Sequence, residues 1–258
     1  MRIAVLFRSF VVLAVLLSSS SPSSAAPVPA LEAARALIVV TTADWDSTQA
    51  RLQAFNRVDG HWQPAAPAFA VALGQHGSAW GEGLHPAQTQ GPQKREGDGR
   101  SPAGIFAIGP AFGYAPQIDS ALPYQPMQAS HYCMDVPSSP LYNRIVDADQ
   151  VGKAAVAGST EPMRLDLRHP GDARYQEGFV IAHNPQAIPG RGSCIFAHLW
   201  RSPGHATAGC TAMAPADMQR LLAWLKPEDA PLFVLLPRAE YARLQRSWQL
   251  PALAQATP

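Results

Sequence analysis

Short runs of β-branched and aromatic residues, separated by glycine- and proline-rich stretches, dominate the hydrophobic pattern of this chain. "ALIVVTT" (Ala36–Thr42) reads as a strand, and "AFAVALG", which alternates Phe69, Val71 and Leu73, as another. "GIFAIG" from Gly104, "GFVIAHN", "GSCIFAHLW" and "PLFVLLP" are further strand candidates. Helical spacing is rarer. "PADMQRLLAWL" sets Met218, Leu221, Leu222 and Leu225 at i, i+3, i+4 and i+7 behind Pro215, which suits a first helical turn. An Asp/Ser start and the Leu52–Phe55 spacing predict a short helix in "DSTQARLQAFNR". Residues 74–104 form a Gly/Pro-rich loop of a length that points to function or disorder. Residues 110–176 are broken by prolines and resist assignment. The sum is a mostly β or α+β domain with few helices.

The N-terminus changes this picture. Arg2 and Arg8 flank an apolar run, "SFVVLAVLLS", and a small-residue tail, "SSSPSSAAPVPA", follows. That order predicts a secretory signal peptide over residues 1–25, cut after Ala25 and too short to serve as a membrane anchor. With no cysteine at the junction, the mature protein is expected to be exported and soluble, in the periplasm or cell envelope of a bacterium. Residues 26–35 read as an unstructured Pro/Ala leader, 36–237 as one domain, and 238–258 as a peripheral helix and tail. Loss of residues 1–25 removes Arg2 and Arg8 from 20 basic residues, leaving 18 against 19 acidic ones. A chain so balanced, with no Lys/Arg run, offers no electrostatic footprint for nucleic acid.

Cys133, Cys194 and Cys210 are an odd count for an oxidising compartment. Either Cys133 and Cys194 form a bridge and leave Cys210 free, or the other two are buried thiols behaving as small hydrophobes.

The chemistry gathers in "HLWRSPGHATAGCTAM", His198 to Met213. Strand parity puts Cys194, Phe196 and His198 on one face, with His198 at the strand's end. The chain turns at Pro203-Gly204 and returns to Cys210. Gly209 frees the backbone just before a candidate nucleophile, and N–H groups of Ala208, Gly209 and Cys210 become candidates for an oxyanion hole. A neighbouring imidazole would raise the thiolate fraction of Cys210 and return a proton to a leaving amine. His198, on a strand, suits that role better than His205, in a loop. A zinc site from His198, His205, Cys210 and His183 lacks regular ligand spacing, so no metal is expected. His183-Asn184 reads as a satisfied strand end, and Asp98, between Gly97 and Gly99, as a turn residue.

At these residues the chain resembles the YkuD-type L,D-transpeptidases, bacterial enzymes that remodel peptidoglycan with a cysteine nucleophile. His198 matches the family's strand histidine, Thr207 its Ser/Thr, Gly209 its glycine and Cys210 its cysteine. "KREGDGRSPAGIFAIG" and "CMDVPSSPLYNR" also look like a divergent branch of the family, and the likeness spans most of residues 36–236. It implies a mixed β-sandwich catalytic domain, Cys210 as nucleophile and His198 as base. It also implies orientation of the imidazole by the Leu199 main-chain carbonyl, stem-peptide substrates, and no metal or organic cofactor. Two positions depart from the pattern: Ala208 replaces the histidine before Gly-Cys, and Ala212 replaces a polar residue two positions after the cysteine. Arg201 is the candidate to bind a stem-peptide carboxylate in its stead, with Thr207 beside it. The readings to be separated are a transpeptidase, an L,D-carboxypeptidase or peptidoglycan–protein amidase, and a cell-wall binding protein without activity.

Overall fold

The computed structural model describes residues 28–253, so the segment assigned to a signal peptide lies outside the described residues. No helix among the described residues is long and apolar enough to cross a membrane. The chain opens with α1 (Pro29–Ala33), within the stretch expected to be an unstructured leader. The reason for the difference is Leu31, which is buried in the main core and anchors this turn of helix.

Strand β1 (Ala36–Thr42) coincides with the first apolar run. It pairs antiparallel with β2 (Gln49–Val58), the segment predicted as a helix. Ala50, Leu52 and Ala54 are buried on alternate positions of β2, the period of a strand. Their facing of β1, with Leu52 opposite Val40, outweighs the i, i+3 spacing of Leu52 and Phe55. β3 (His61–Pro64) and β4 (Phe69–Ala72) both pair with β2. The long Gly/Pro-rich stretch holds β5 (Ser78–Trp80), which runs parallel to the start of β6 (Ser101–Gly113).

The proline-rich middle contains only very short strands: β7 (Tyr124–Pro126), β8 (His131–Cys133), β9 (Ile145–Asp147) and β10 (Glu161–Pro162), with a helical turn α2 (Ala148–Val151). β10, β8 and β9 form a separate three-stranded sheet. The remaining elements are β11 (Glu177–Ile181), β12 (Phe196–Leu199), β13 (Thr211–Met213), α3 (Pro215–Trp224), β14 (Leu232–Pro237) and α4 (Arg238–Leu244).

Among the described residues the large sheet runs β1-β14-β6-β11-β12-β13-β4-β2-β3. It is the mostly β, mixed-sheet class expected from the sequence. Because β1 pairs with both β14 and β2, the sheet closes on itself. Ile38, Val40, Phe106, Phe233 and Leu235, which share one face through the register of β1, β14 and β6, are buried with no accessible surface. Burial of each such side chain contributes about 1.5–3 kcal/mol. α3 buries Met218, Leu221 and Leu222 and packs against β11 and β12, backing the strand that carries His198. The C-terminal segment is not peripheral: Tyr241, Leu244 and Trp248 join the main core, and Tyr241 Oη donates to the Pro251 carbonyl at 2.7 Å.

A disulfide between Cys133 and Cys194 spans 61 residues and ties the small sheet to the approach of β12. Of the two alternatives left open by the sequence, the bridge is the one present. Cys210 is the free cysteine among the described residues.

Candidate active site

β12 and β13 run parallel, with Ala197 opposite Thr211, His198 opposite Ala212 and Leu199 opposite Met213. Cys210 directly precedes β13, so the loop from residue 200 to 209 returns it to the level of Phe196. The Phe196 N–H donates to Cys210 Sγ at 3.4 Å, and the thiol donates to the Cys194 carbonyl at 3.6 Å. Both partners are main chain, and the thiol rests on them rather than on the imidazole. Cys210 and His198 are both buried, and both line one cleft of about 280 Å³.

Strand parity holds for Phe196 and His198 but not for Cys194. β12 begins only at Phe196, and Cys194 has a left-handed backbone (φ 56°), with its N–H donated to Asn143 Oδ1 at 2.9 Å. Its sulfur belongs to the disulfide and its carbonyl to the Cys210 thiol. The bridge therefore reaches the candidate nucleophile through one residue.

His198 Nδ1 lies 2.7 Å from the Leu199 carbonyl oxygen. As donor to that carbonyl, Nδ1 carries the proton and Nε2 is left as the basic nitrogen. Burial pushes the imidazole down to about 4, against the opposing pull of the Leu199 carbonyl; the Arg174 charge lowers it further. Burial pushes the Cys210 thiol up to about 12, and the Glu161 charge adds to this, while the Phe196 N–H, Lys94 and Arg174 favour the thiolate. The pair therefore rests as neutral thiol and neutral imidazole.

Gly209 has φ 155°, a conformation side chains rarely adopt, and an added Cβ would meet the Arg100 carbonyl oxygen at 3.1 Å. Its N–H donates to Thr207 Oγ1 at 3.0 Å, while the Thr207 hydroxyl donates to the Cys210 carbonyl at 2.7 Å. Thr207 thus holds the backbone of the Gly-Cys turn. The Gly209 N–H is committed to that hydroxyl, leaving Ala208 and Cys210 as the flanking main-chain positions. Ser101, fully buried, also donates to the Cys210 carbonyl, at 3.0 Å, and accepts from the Gly74 N–H at 2.9 Å. A hydroxyl at the start of β6, just after the "GDGR" turn, therefore helps fix the nucleophile's backbone.

Arg201, His205 and Ala208 are exposed at the rim of the cleft, and Ala212 lines it from β13. His183 stands apart. Its Nδ1 accepts from the Glu82 N–H at 3.3 Å, its Nε2 lies 2.9 Å from the Arg191 carbonyl, and burial lowers it to about 4. Asn184, with no accessible surface, bonds to Ile188 and Gly192. These are the satisfied strand-end pair that the sequence suggested. Asp98 accepts from Lys94 Nζ at 2.5 Å and from the Arg95 and Arg100 N–H groups at 2.8 and 2.9 Å, which makes it the centre of its turn.

Four cleft residues were not singled out by sequence reasoning. Lys94 is buried with its ammonium held by Asp98 and the Arg95 carbonyl, and Arg174 makes a paired contact with Asp172 at 2.7 Å. Tyr175, buried, sets its ring edge-to-face on His198 with centroids 5.2 Å apart. Its hydroxyl donates to Glu161 Oε1 at 2.7 Å. Burial raises Glu161 to about 7, assisted by the Asp135 charge and opposed by the Tyr175 hydrogen bond and by Arg174. Lys94 lies in the Gly/Pro-rich loop and the other three in the proline-broken middle, neither of which has a repeating pattern, so no local signal marks them.

A closed mixed sheet whose adjacent parallel strands β12 and β13 bring a carbonyl-oriented imidazole and a free thiol into one cleft defines the class to compare. The family model of the YkuD L,D-transpeptidase catalytic domain matches residues 47–234. The chain belongs to this family, whose members act on peptidoglycan. Comparison with curated proteins and with solved structures gives no significant match.

Proposed function

We propose that the protein is an exported peptidoglycan L,D-transpeptidase working through a Cys210 acyl-enzyme. The observation that carries this reading is the shared cleft. It holds the free cysteine and an imidazole whose Nδ1 is tied to the Leu199 carbonyl. Cys210 attacks the carbonyl that joins the L-centre of the third residue to the terminal D-Ala of a tetrapeptide stem. His198 Nε2 takes the thiol proton as the C–S bond forms, so no free thiolate has to persist in a buried site. Main-chain N–H groups at Ala208 and Cys210 meet the tetrahedral oxyanion. The imidazolium then protonates the departing D-Ala amine, leaving a thioester. An amine from a neighbouring stem resolves the thioester to a cross-link. Arg201 at the rim is the proposed carboxylate contact, and no metal takes part.

Export is part of the proposal. It rests on the signal-like residues 1–25 and on the Cys133–Cys194 disulfide, a bond of oxidising compartments.

The test is a mass spectrum of disaccharide-tetrapeptide incubated with the protein lacking residues 1–25, beside Cys210→Ala. Loss of D-Ala with dimer formation, absent in the variant, is expected. Tripeptide without dimer would reassign the protein as an L,D-carboxypeptidase. Unchanged tetrapeptide with folded protein would remove this substrate altogether.

A further inference from the structure

The mechanism above employs Cys210, His198 and main-chain groups, and leaves a carboxylate in the same cleft without a task. Glu161 lies on β10, opposite Cys133 in the small sheet, and the Cys133–Cys194 bridge fastens that sheet to the residue whose carbonyl holds the Cys210 thiol. The Glu161 side chain is half-buried and lines the cleft together with Cys210 and His198. Among the described residues only Oε1 has a hydrogen-bond partner, Tyr175, whose ring in turn rests on His198. The second oxygen is unengaged. The charged groups facing the carboxyl are Asp135, Arg174 and, when ionised, Cys210 itself.

This arrangement answers a proton problem in the second half of the proposed reaction. An aliphatic amine of pKa near 10.4 is an ammonium at pH 7, with only about one molecule in 2,500 able to attack. Forming an amide from an ammonium releases two protons. His198 can relay one of them to the departing sulfur, but its lone basic nitrogen has no capacity for the other.

We propose that Glu161 is a further catalytic residue, the carboxylate that captures the acceptor ammonium and removes its first proton. This rests on the transpeptidase reading. The ammonium gives one proton to Glu161 and becomes a neutral amine. Its nitrogen then attacks the thioester carbon, forming the C–N bond, and the C–S bond breaks with its electron pair going to sulfur. The second N–H proton passes to His198 Nε2 and from there to the Cys210 thiolate, restoring the thiol. Glu161 returns its proton to solvent. The value of about 7 for Glu161 leaves it ionised in a large fraction of molecules at neutral pH, while keeping it basic enough to accept a proton. An ammonium brings a full positive charge to this carboxylate whereas water offers only a hydrogen bond, so the residue raises the local share of amine over water as acceptor.

The experiment is a competition on one acyl-enzyme. Disaccharide-tetrapeptide serves as donor and as ammonium acceptor, and hydroxylamine, already uncharged at pH 7, is added as a second acceptor. The ratio of dimer to hydroxamate is read by mass spectrometry. It does not depend on how fast the acyl-enzyme forms or on how much protein is folded. Glu161→Gln is expected to lower that ratio about 10-fold or more. Tyr175→Phe, which removes a hydrogen bond that stabilises the ionised carboxylate, should move the pH profile of dimer formation to higher pH. An unchanged ratio in Glu161→Gln would overturn the inference, as would wild-type protein that forms hydroxamate but no dimer. Wild-type protein that releases no D-Ala and forms neither product would overturn the transpeptidase reading itself, and the inference with it.

Discussion

The main core and the cleft-side cluster are both buried, yet they use burial for opposite ends. Around β1, β6 and β14 the interior is hydrocarbon and aromatic ring: Ile38, Val40, Phe106, Phe233, Leu235. The second cluster packs Phe112, Met163, Tyr175 and Phe196 around Cys210 and the disulfide, with His198 and Glu161 at its edge. Burial in the first region adds stability. In the second it holds a thiol, an imidazole and a carboxyl away from their ordinary ionisation. One closed sheet thus supplies a rigid frame at one side and, at the other, a neutral thiol and imidazole beside a carboxyl that titrates near neutrality.

Exchange of the nucleophile should separate the two regions most sharply. Cys210→Ala is expected to abolish turnover while the thermal midpoint changes by no more than a few degrees. The thiol's hydrogen bonds are two long main-chain ones, at 3.4 and 3.6 Å, and alanine keeps most of its small apolar volume in the cluster. Phe233→Ala should do the reverse. Truncating this fully buried ring costs about 3–5 kcal/mol, read as a lower denaturant midpoint. Any activity change should follow the folded fraction.

The disulfide couples the regions. Closing a loop of 61 residues is worth about 4 kcal/mol in the chain-entropy model. The Cys133→Ser, Cys194→Ser double variant should lose roughly that much. It should also lose activity beyond the unfolded fraction, because the Cys194 segment holds the Cys210 thiol. Retention of full specific activity in the folded fraction would uncouple the small sheet from the site.

Acid should expose the difference in another way. Folded His85, His183 and His198 resist protonation down to about 4, whereas the unfolded chain takes up those protons near 6.5. Stability is therefore highest above pH 6.5 and falls as pH drops toward 4. Glu161 acts in the opposite sense. Its folded value of about 7 against 4.5 unfolded gives a contribution complete below pH 4.5 and lost as pH rises to 7. Thermal midpoints from pH 7.5 to 4.5 should decline, and more steeply in Glu161→Gln. The smallest effect is expected from Thr207→Val, which removes one hydrogen bond to the Cys210 carbonyl and one from the Gly209 N–H. A loss of about 1 kcal/mol per bond and a several-fold fall in kcat are expected.

What could be read from the sequence divides along the same line. β1, β14 and α3 were legible because each is an uninterrupted apolar run or a clean helical stripe whose burial depends on its own residues. β2 was misread because its period-2 burial rests on small residues, Ala50 and Ala54, around one leucine, and only pairing with β1 decides it. The small sheet was illegible for a different reason. Strands of two or three residues carry no periodicity, and this sheet is tied to the rest of the fold by the disulfide from Cys133 of β8, a link no local pattern announces. In the site, His198, Leu199, Thr207, Gly209 and Cys210 are close in sequence and form a pattern. Glu161 and Tyr175 reach the same cleft from a segment with none, so their place emerges only with the fold.

The most direct test of the account is the intact mass of the protein after brief incubation with disaccharide-tetrapeptide at pH 7. A single adduct equal to the donor minus D-Ala, mapped to the peptide containing Cys210 with Cys133 and Cys194 still bridged, is the predicted result. No adduct on folded protein, or an adduct on any other residue, would contradict the assignment of Cys210 as the nucleophile.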